Sequence, residues 1–249
     1  MQGIVAIAGH EIKRIFRSLL AWIIIAVVEF LAAVLFLILL NQFLNPSPWL
    51  AGRGATEVVA AGLLQVSGVI FLLVTPFITM RSFSEERRTG TIQLLYSSPV
   101  SLTELVIGKY LGIIGFLLAL LIVVALMPVS LSMGTSIDLM QLGSGLLGLF
   151  LLIASFAAIG VFISTLTSQP AIAAIVTFGI LFMLWIINLA AGTGSETFRV
   201  IFTYLSPLAH FNNLIDGLLK STDIIYSLII IVTFTTLSIW RLDAERINL

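Results

Sequence analysis

The 249-residue sequence contains no cysteine and only two histidines, His10 and His210. Disulfides and thiolate sites are thereby excluded, and cysteine usage leaves the redox compartment undetermined. Neither histidine is flanked by carboxylates at ligand spacing, so no metal site is expected. Charge is scarce too: Asp, Glu, Lys and Arg make up 10% of the residues, and 12 basic side chains cancel 12 acidic ones. Without a global basic field, nucleic acid is not an expected partner. What is abundant is apolar. With 59% hydrophobic residues and a mean hydropathy of +1.17, the chain has too little polar surface to clothe a soluble globule, and it reads as an all-α integral membrane protein.

Runs of roughly twenty apolar residues mark spans. They fall near 19–40, 58–79, 108–132, 142–165, 170–191 and 223–241, within one transmembrane domain covering 1–249. Polar breaks separate them, including Asn45-Pro46-Ser47-Pro48, the region of Asp138, and a tight turn before Pro170. Six spans put both termini on one side. Lys13, Arg14, Arg17, Arg81, Arg87, Arg88, Lys109, Arg241 and Arg246 share that side, against Arg53, Arg199 and Lys220 on the other. The bias predicts cytoplasmic termini in a multi-pass protein of the plasma (inner) membrane. The apolar stretch after Arg17 is too long for a signal-peptide core.

Residues 3–18 form a separate element. Ile4, Ile7, Ala8, Ile12, Ile15 and Leu19 recur at helical spacing, while Glu11, Lys13, Arg14 and Arg17 mostly take the other face. Such a helix lies in the headgroup plane as an interfacial elbow, or extends the first span into the cytoplasm.

The segment between the second and third spans is the most legible. Ser82-Phe83-Ser84-Glu85 has the S-x-x-E form of a capping box, Glu85 and Glu86 precede Arg87 and Arg88, and Gly90 offers a stop, so a short helix is expected at 83–89. Ile92, Leu95 and Tyr96 make a second amphipathic turn that ends before Pro99. Ser101-Leu102-Thr103-Glu104 is another capping box and starts a helix that runs into the third span. Three short elements in so small a loop are more ordered than a connector needs, and read as a docking surface.

The run Phe83-Ser84-Glu85-Glu86-Arg87-Arg88-Thr89-Gly90-Thr91, then Leu94-Leu95, Ser98-Pro99-Val100-Ser101 and Gly108-Lys109, resembles the signature of ABC-2 type transporter permeases, the membrane subunits of ATP-driven exporters. The resemblance covers nearly the whole chain. Met80 to Glu86, His210-Phe211, Asp216-Gly217 and Asp223-Ile224-Ile225-Tyr226 are most similar to the gliding-motility-associated subgroup. The resemblance implies a homo- or heterodimer of six-span subunits, bound to two separate ATPases that carry ATP and Mg. It further implies that Phe83, Glu85, Glu86, Arg87, Arg88, Gly90, Leu94, Leu95 and Pro99 form the ATPase-coupling element. A push there would tilt the second and third spans, with which the loop is continuous. This chain itself is expected to bind no cofactor. Its one Gly-Lys pair, Gly108-Lys109, is followed by Tyr110, and Thr103 stands where a P-loop needs glycine.

Between the fifth and sixth spans, Ser206 as N-cap, Pro207 at the first helical position, and Leu208, Phe211, Ile215 and Leu218 in one stripe predict a helix at 207–220. In relatives this region dips back into the outer leaflet, which implies an outer gate containing Pro207, His210 and Phe211, preceded by a half-helix at 196–204. A helix lying flat on the outer surface fits the stripe equally. Within the spans, Glu29 is the one strongly ionisable residue near a midplane. It should face the bundle and find a hydrogen-bond partner, for which Gln65, Ser67, Ser155 and Asn188 are candidates, or be protonated, serving a substrate path or only an interhelical hydrogen bond.

Small residues at Gly108-x-x-x-Gly112 and Ser144-x-x-x-Gly148 allow close helix approach, chiefly within the subunit. By analogy with the family, Phe178, Phe182, Trp185 and Asn188 suit a dimer seam. A secondary transporter and a non-transporting scaffold are the alternatives. The first lacks a counterpart to Glu29 in the second half of the chain, and an intramembrane serine protease lacks its Gly-x-Ser-Gly. The apolar lining tolerates lipids, lipid-linked glycans, hydrophobic drugs or a peptide segment, and the subgroup resemblance adds an envelope component.

Overall fold

The computed structural model describes residues 2–48, 50, 52–93, 100–190 and 203–247. All regular structure among them is helical. The helices are α1 (Gln2–Phe16), α2 (Leu19–Leu44), α3 (Gly62–Thr79, entered through a π-helical stretch at Thr56–Ala61), α4 (Ser84–Arg88), α5 (Leu102–Ser130), α6 (Leu139–Leu166), α7 (Pro170–Ala190), α8 (Pro207–Ile215) and α9 (Ser221–Ile247). Six of them, α2, α3, α5, α6, α7 and α9, are long and apolar enough to cross a membrane. All six expected spans are present, extended at several ends by caps and polar turns.

Local chemistry explains the boundaries. Ser101 and Glu104 close the expected capping box at the start of α5, with Glu104 N–H donating to Ser101 Oγ at 3.2 Å. Asp138 caps α6 by accepting from the Met140 and Gln141 amides at 2.9 and 3.1 Å. Ser206 and Pro207 start α8 as expected. That helix stops earlier than the predicted 220, because Gly217 adopts φ +81° and the Leu218 and Gly217 amides turn back onto the Asn213 and Leu214 carbonyls. The π-helical entry to α3 has no clear signature in the sequence.

The bundle is organised around α6. Of its most apolar 18-residue window 78% is buried, against 17% for α2 and for α9. Its flank of Phe156, Ala157, Ala158, Ile159 and Val161 is enclosed by neighbouring helices. Tyr110 of α5 donates to the Ala154 carbonyl at 3.1 Å, and a Cβ on Gly160 would collide with Thr79 of α3. The α6–α7 turn is tight because Pro170 starts α7 and holds the preceding residues extended.

α1 is a helix of its own, ended by Arg17 and Ser18, with Trp22 Nε1 donating to the Phe16 carbonyl at 2.9 Å. It runs in the same direction as α5 and in step with it: Gly3 is beside Glu104, Ile7 beside Gly108, Glu11 beside Gly112 and Ile12 beside Gly115. Gly108 and Gly112 thus make the groove that admits α1, an intrasubunit use of the small-residue pattern. Glu11 breaks the amphipathic expectation. It is 3% exposed and faces α5, where it pairs with Arg14.

A Cβ at Gly112 would sit 2.5 Å from Glu11 Cβ, so Gly112→Val should force α1 off its groove at a cost of about 1–3 kcal/mol. A lowered unfolding temperature in detergent is expected, while Gly134→Ala, where a Cβ meets nothing within 4 Å, should leave it unchanged.

Candidate functional site

Two polar constructions occupy opposite ends of α6. At one end is α4, a five-residue helix too short to satisfy its own termini. The expected cap, Ser82, does not serve: its Oγ is buried without a partner, and the N-cap position is Phe83. The α4 amides turn instead to Ser164 of α6, whose Oγ accepts from Phe83 N at 2.9 Å and Ser84 N at 3.1 Å and donates to the Met80 carbonyl at 3.2 Å. Gly90, at φ +72°, ends the turn as expected.

Ionic contacts tie α4 to three further helices. Lys109 of α5 is 3% exposed; its Nζ pairs with Glu86, donates to the Ser82 carbonyl at 2.7 Å and sits 4.9 Å from the centre of the Phe83 ring. Arg14 of α1 pairs with Glu11 and reaches Glu86 at 4.0 Å and the Arg81 carbonyl at 3.4 Å. Arg87 pairs with Glu245 in the last turns of α9.

These contacts divide the residues expected to couple to an ATPase. Phe83 is fully buried, and Glu86 and Arg87 are spent on intrachain pairs, so they hold α4 in place instead of presenting it. Arg88 is exposed and Glu85 half-buried, both without an ion-pair partner among the described residues. With Arg81, Ser168 and Gln169 they line an open groove of about 680 Å³ beside the α6–α7 turn. Ile92 is buried; Leu94, Leu95, Tyr96 and Pro99 lie outside the described residues.

At the other end, α8 folds back into the bundle. Its direction is opposite to that of α6: Phe211 lies against Gly68 and Leu152, Leu214 against Gly148, and Gly217 near Gln141. Gln141 Nε2 donates to the Ile215 carbonyl at 3.1 Å and Ser144 Oγ to the Leu214 carbonyl at 2.8 Å, so α6 satisfies the orphan carbonyls at the end of α8. The segment before α8 is held deeper still. Tyr226 of α9 donates to the Leu205 carbonyl at 2.5 Å, and the next residue, Ser227, accepts from Ser155 of α6 at 3.5 Å. Ser155 is more than four turns into α6, about 24 Å at 1.5 Å per residue, well inside a core of about 30 Å. α8 is therefore bonded along the flank of α6 and does not stand apart from the bundle. Most of the expected half-helix at 196–204 lies outside the described residues.

The three expected gate residues come together here: Pro207, His210 and Phe211 are all buried. His210 Nδ1 is 2.6 Å from Asp223 Oδ1 and its Nε2 is 3.1 Å from the Tyr204 carbonyl, while its ring stacks on Tyr226 at 4.1 Å. Asn213 Nδ2 donates to the second Asp223 oxygen at 3.2 Å. The proposed partners of Glu29 are not brought to it. Its two carboxyl oxygens are buried without a hydrogen bond among the described residues. Gln65 is exposed, and Ser67 and Ser155 bond to Leu63 and Leu151 carbonyls of their own helices. The side chain of Asn188 lies outside the described residues. Phe178, Phe182 and Trp185 do form a stacked ladder, with centroids 5.6 and 5.8 Å apart.

Ser164, Lys109 and Glu245 were not singled out by sequence reasoning as members of the α4 junction, nor Asp223 as the partner of His210. Ser164 carries no signal, being one small residue in an apolar run. Lys109 did have one, since a lysine at the start of an apolar span needs a nearby anion.

Six helices long and apolar enough to cross a membrane, packed around a buried spine, are the architecture of a multi-pass membrane protein. A family model described as "ABC-2 family transporter protein" matches residues 5–246, and the chain belongs to that family. It is accordingly a membrane permease component and not a catalytic one. No curated protein matches the sequence.

Removing Lys109 leaves Glu86 in a largely enclosed site with only the more distant Arg14. Lys109→Met should destabilise by about 3 kcal/mol, the low end for breaking a buried pair. The double variant Lys109→Met/Glu86→Gln should recover part of that loss in a thermal unfolding series, and an undiminished single variant would show that the pair does not brace α4.

Proposed function

We propose that this chain is the permease subunit of an ATP-driven exporter and that a separate ABC ATPase docks on the outward side of α4. Membership in the family supports an ATPase partner in general. The observation that carries the docking reading is the way α4 is built. Five residues are fixed by Ser164, Lys109 and Glu245 on one side, while Glu85 and Arg88 remain turned to an open polar groove. A loop that only connects two spans needs no such bracing. The braced helix is the shape of a knob that must transmit load.

In this reading α4 and both termini are cytoplasmic, as the distribution of Lys and Arg favours, and the membrane is the plasma (inner) membrane. ATP and Mg act on the partner, and a second permease subunit, identical or not, completes the translocation path. The ring ladder Phe178-Phe182-Trp185 on α7 is the surface we assign to that seam. The re-entrant α8 hairpin, with His210 and Phe211 inside it, is the gate on the far side. The cargo is hydrophobic or envelope-related, in keeping with the similarity to gliding-motility-associated permeases.

The test separates docking from folding. Glu85→Lys combined with Arg88→Glu reverses both outward charges without touching the buried pairs. Recovery of the ATPase with the tagged permease from native membranes should fall about tenfold, equivalent to about 1.4 kcal/mol, with the permease still eluting as a single species. Undiminished ATPase recovery at low and at physiological salt would refute docking at α4.

A further inference from the structure

Among the described residues, α6 supplies backbone-satisfying side chains to both constructions. At one end Ser164 closes the N-terminal amides of α4, and at the other Ser144 and Gln141 close the C-terminal carbonyls of α8. Between these points α6 is a continuous 28-residue helix without proline, about 42 Å long. It is gripped closely throughout: Gly145 by Leu64, Gly148 by Leu214 and Gly160 by Thr79. The two spans joined covalently to the α4 loop are built differently. α3 carries Pro76 one turn before its end and is entered through a π-helical stretch, and α5 carries Pro128. Proline removes a ladder hydrogen bond and π-segments loosen the helix, so both are places where an imposed tilt is absorbed.

Resting on the reading of the chain as an ATPase-driven permease, we propose that Ser164 is a positioning residue that locks α4 to α6, so that α6 acts as the rod carrying displacement of α4 to the α8 hairpin. The covalent continuity of α4 with α3 and α5 is then the secondary route. A push on α4 moves Ser164 with it, because the hydroxyl holds three backbone groups at once. The far end of the same helix moves Leu214 and Ile215, and through them His210 and the turn at 216–220.

Because this chain has no cysteine, a single Lys220→Cys on the exposed turn after α8 is the permease's one thiol, and its labelling is read on the permease band after separation from the ATPase. The complex is isolated with its own ATPase, placed in lipid nanodiscs, and labelled with a maleimide without nucleotide and after trapping with ATP and vanadate. In the Lys220→Cys parent the labelling rate should differ about fivefold between the two states, the low end of coupling between sites. Adding Ser164→Ala should abolish the difference while the ATPase still co-purifies. Ser164→Thr, which keeps the hydroxyl, should restore it. Thr165→Ala removes an equally buried hydroxyl from the same helix, one that among the described residues bonds only back to the Phe162 carbonyl of α6, and should leave the difference intact. A merely structural role for Ser164 would move the two alanine variants alike.

Persistence of the full difference in Ser164→Ala overturns the inference and leaves the docking reading standing. So does a parent that binds its ATPase but shows no nucleotide-dependent labelling. A parent that recovers no ATPase at all refutes the docking reading, and this inference with it.

Discussion

Short helices placed against or inside a membrane cannot leave their ends to water, and here α6 closes the start of one and the end of the other. An α-helix leaves four amides and four carbonyls without internal partners, and a five-residue helix such as α4 satisfies almost none of its own. Ser164, Ser144 and Gln141 of α6 supply the missing partners for α4 and α8. The other helices are arranged so that this can happen. α3 comes close enough for Thr79 to fill the space over Gly160, and α5 is fixed by Tyr110 on the Ala154 carbonyl.

Charge is used just as sparingly. Of the 24 charged side chains, those at the α4 junction are concentrated on one interlocked set: Glu11, Arg14, Glu86 and Lys109, with Arg87 and Glu245 beside it. Such a set adds little net stability, because desolvation offsets much of the Coulomb attraction. Its effect is to fix position. The pairs reach α4 from three different helices, α1, α5 and α9, so α4 has one placement in which all of them close, and Glu85 and Arg88 are left on the groove side.

The spans were legible because length and apolarity alone define them, and so were elements announced by local chemistry: the Ser101–Glu104 box, the stop at Gly90 and the Ser206-Pro207 start of α8. What the sequence hid was every choice between local and distant partners. Ser82-Phe83-Ser84-Glu85 carries the same pattern as Ser101-Leu102-Thr103-Glu104, yet only the second closes on itself: Ser82 is still in the turn that ends α3, the N-cap falls on Phe83, and Ser164 accepts from the first amides of the segment. Likewise Phe83 and Glu86 belong to a motif that reads as exposed, and tertiary contacts turn both inward. Glycine spacing at 108 and 112 declared that something packs closely, but not that α1 would be the occupant.

Cohesion of the bundle follows from the same economy. Between apolar helices in lipid there is no hydrophobic driving force comparable to that in water, so association depends on close packing and interhelical hydrogen bonds. The chain concentrates both on α6 and on the α1–α5 groove, whereas α2 shows Trp22, Ile23, Phe30 and Leu37 on its outer side. A helix held mainly by apolar contact, as α2 is, can slide against its neighbours at small cost. One held by hydroxyls on backbone groups moves only with its partners. The division between a tightly bonded centre and loosely held flanks is therefore already a division between elements that move as a unit and elements that yield around them.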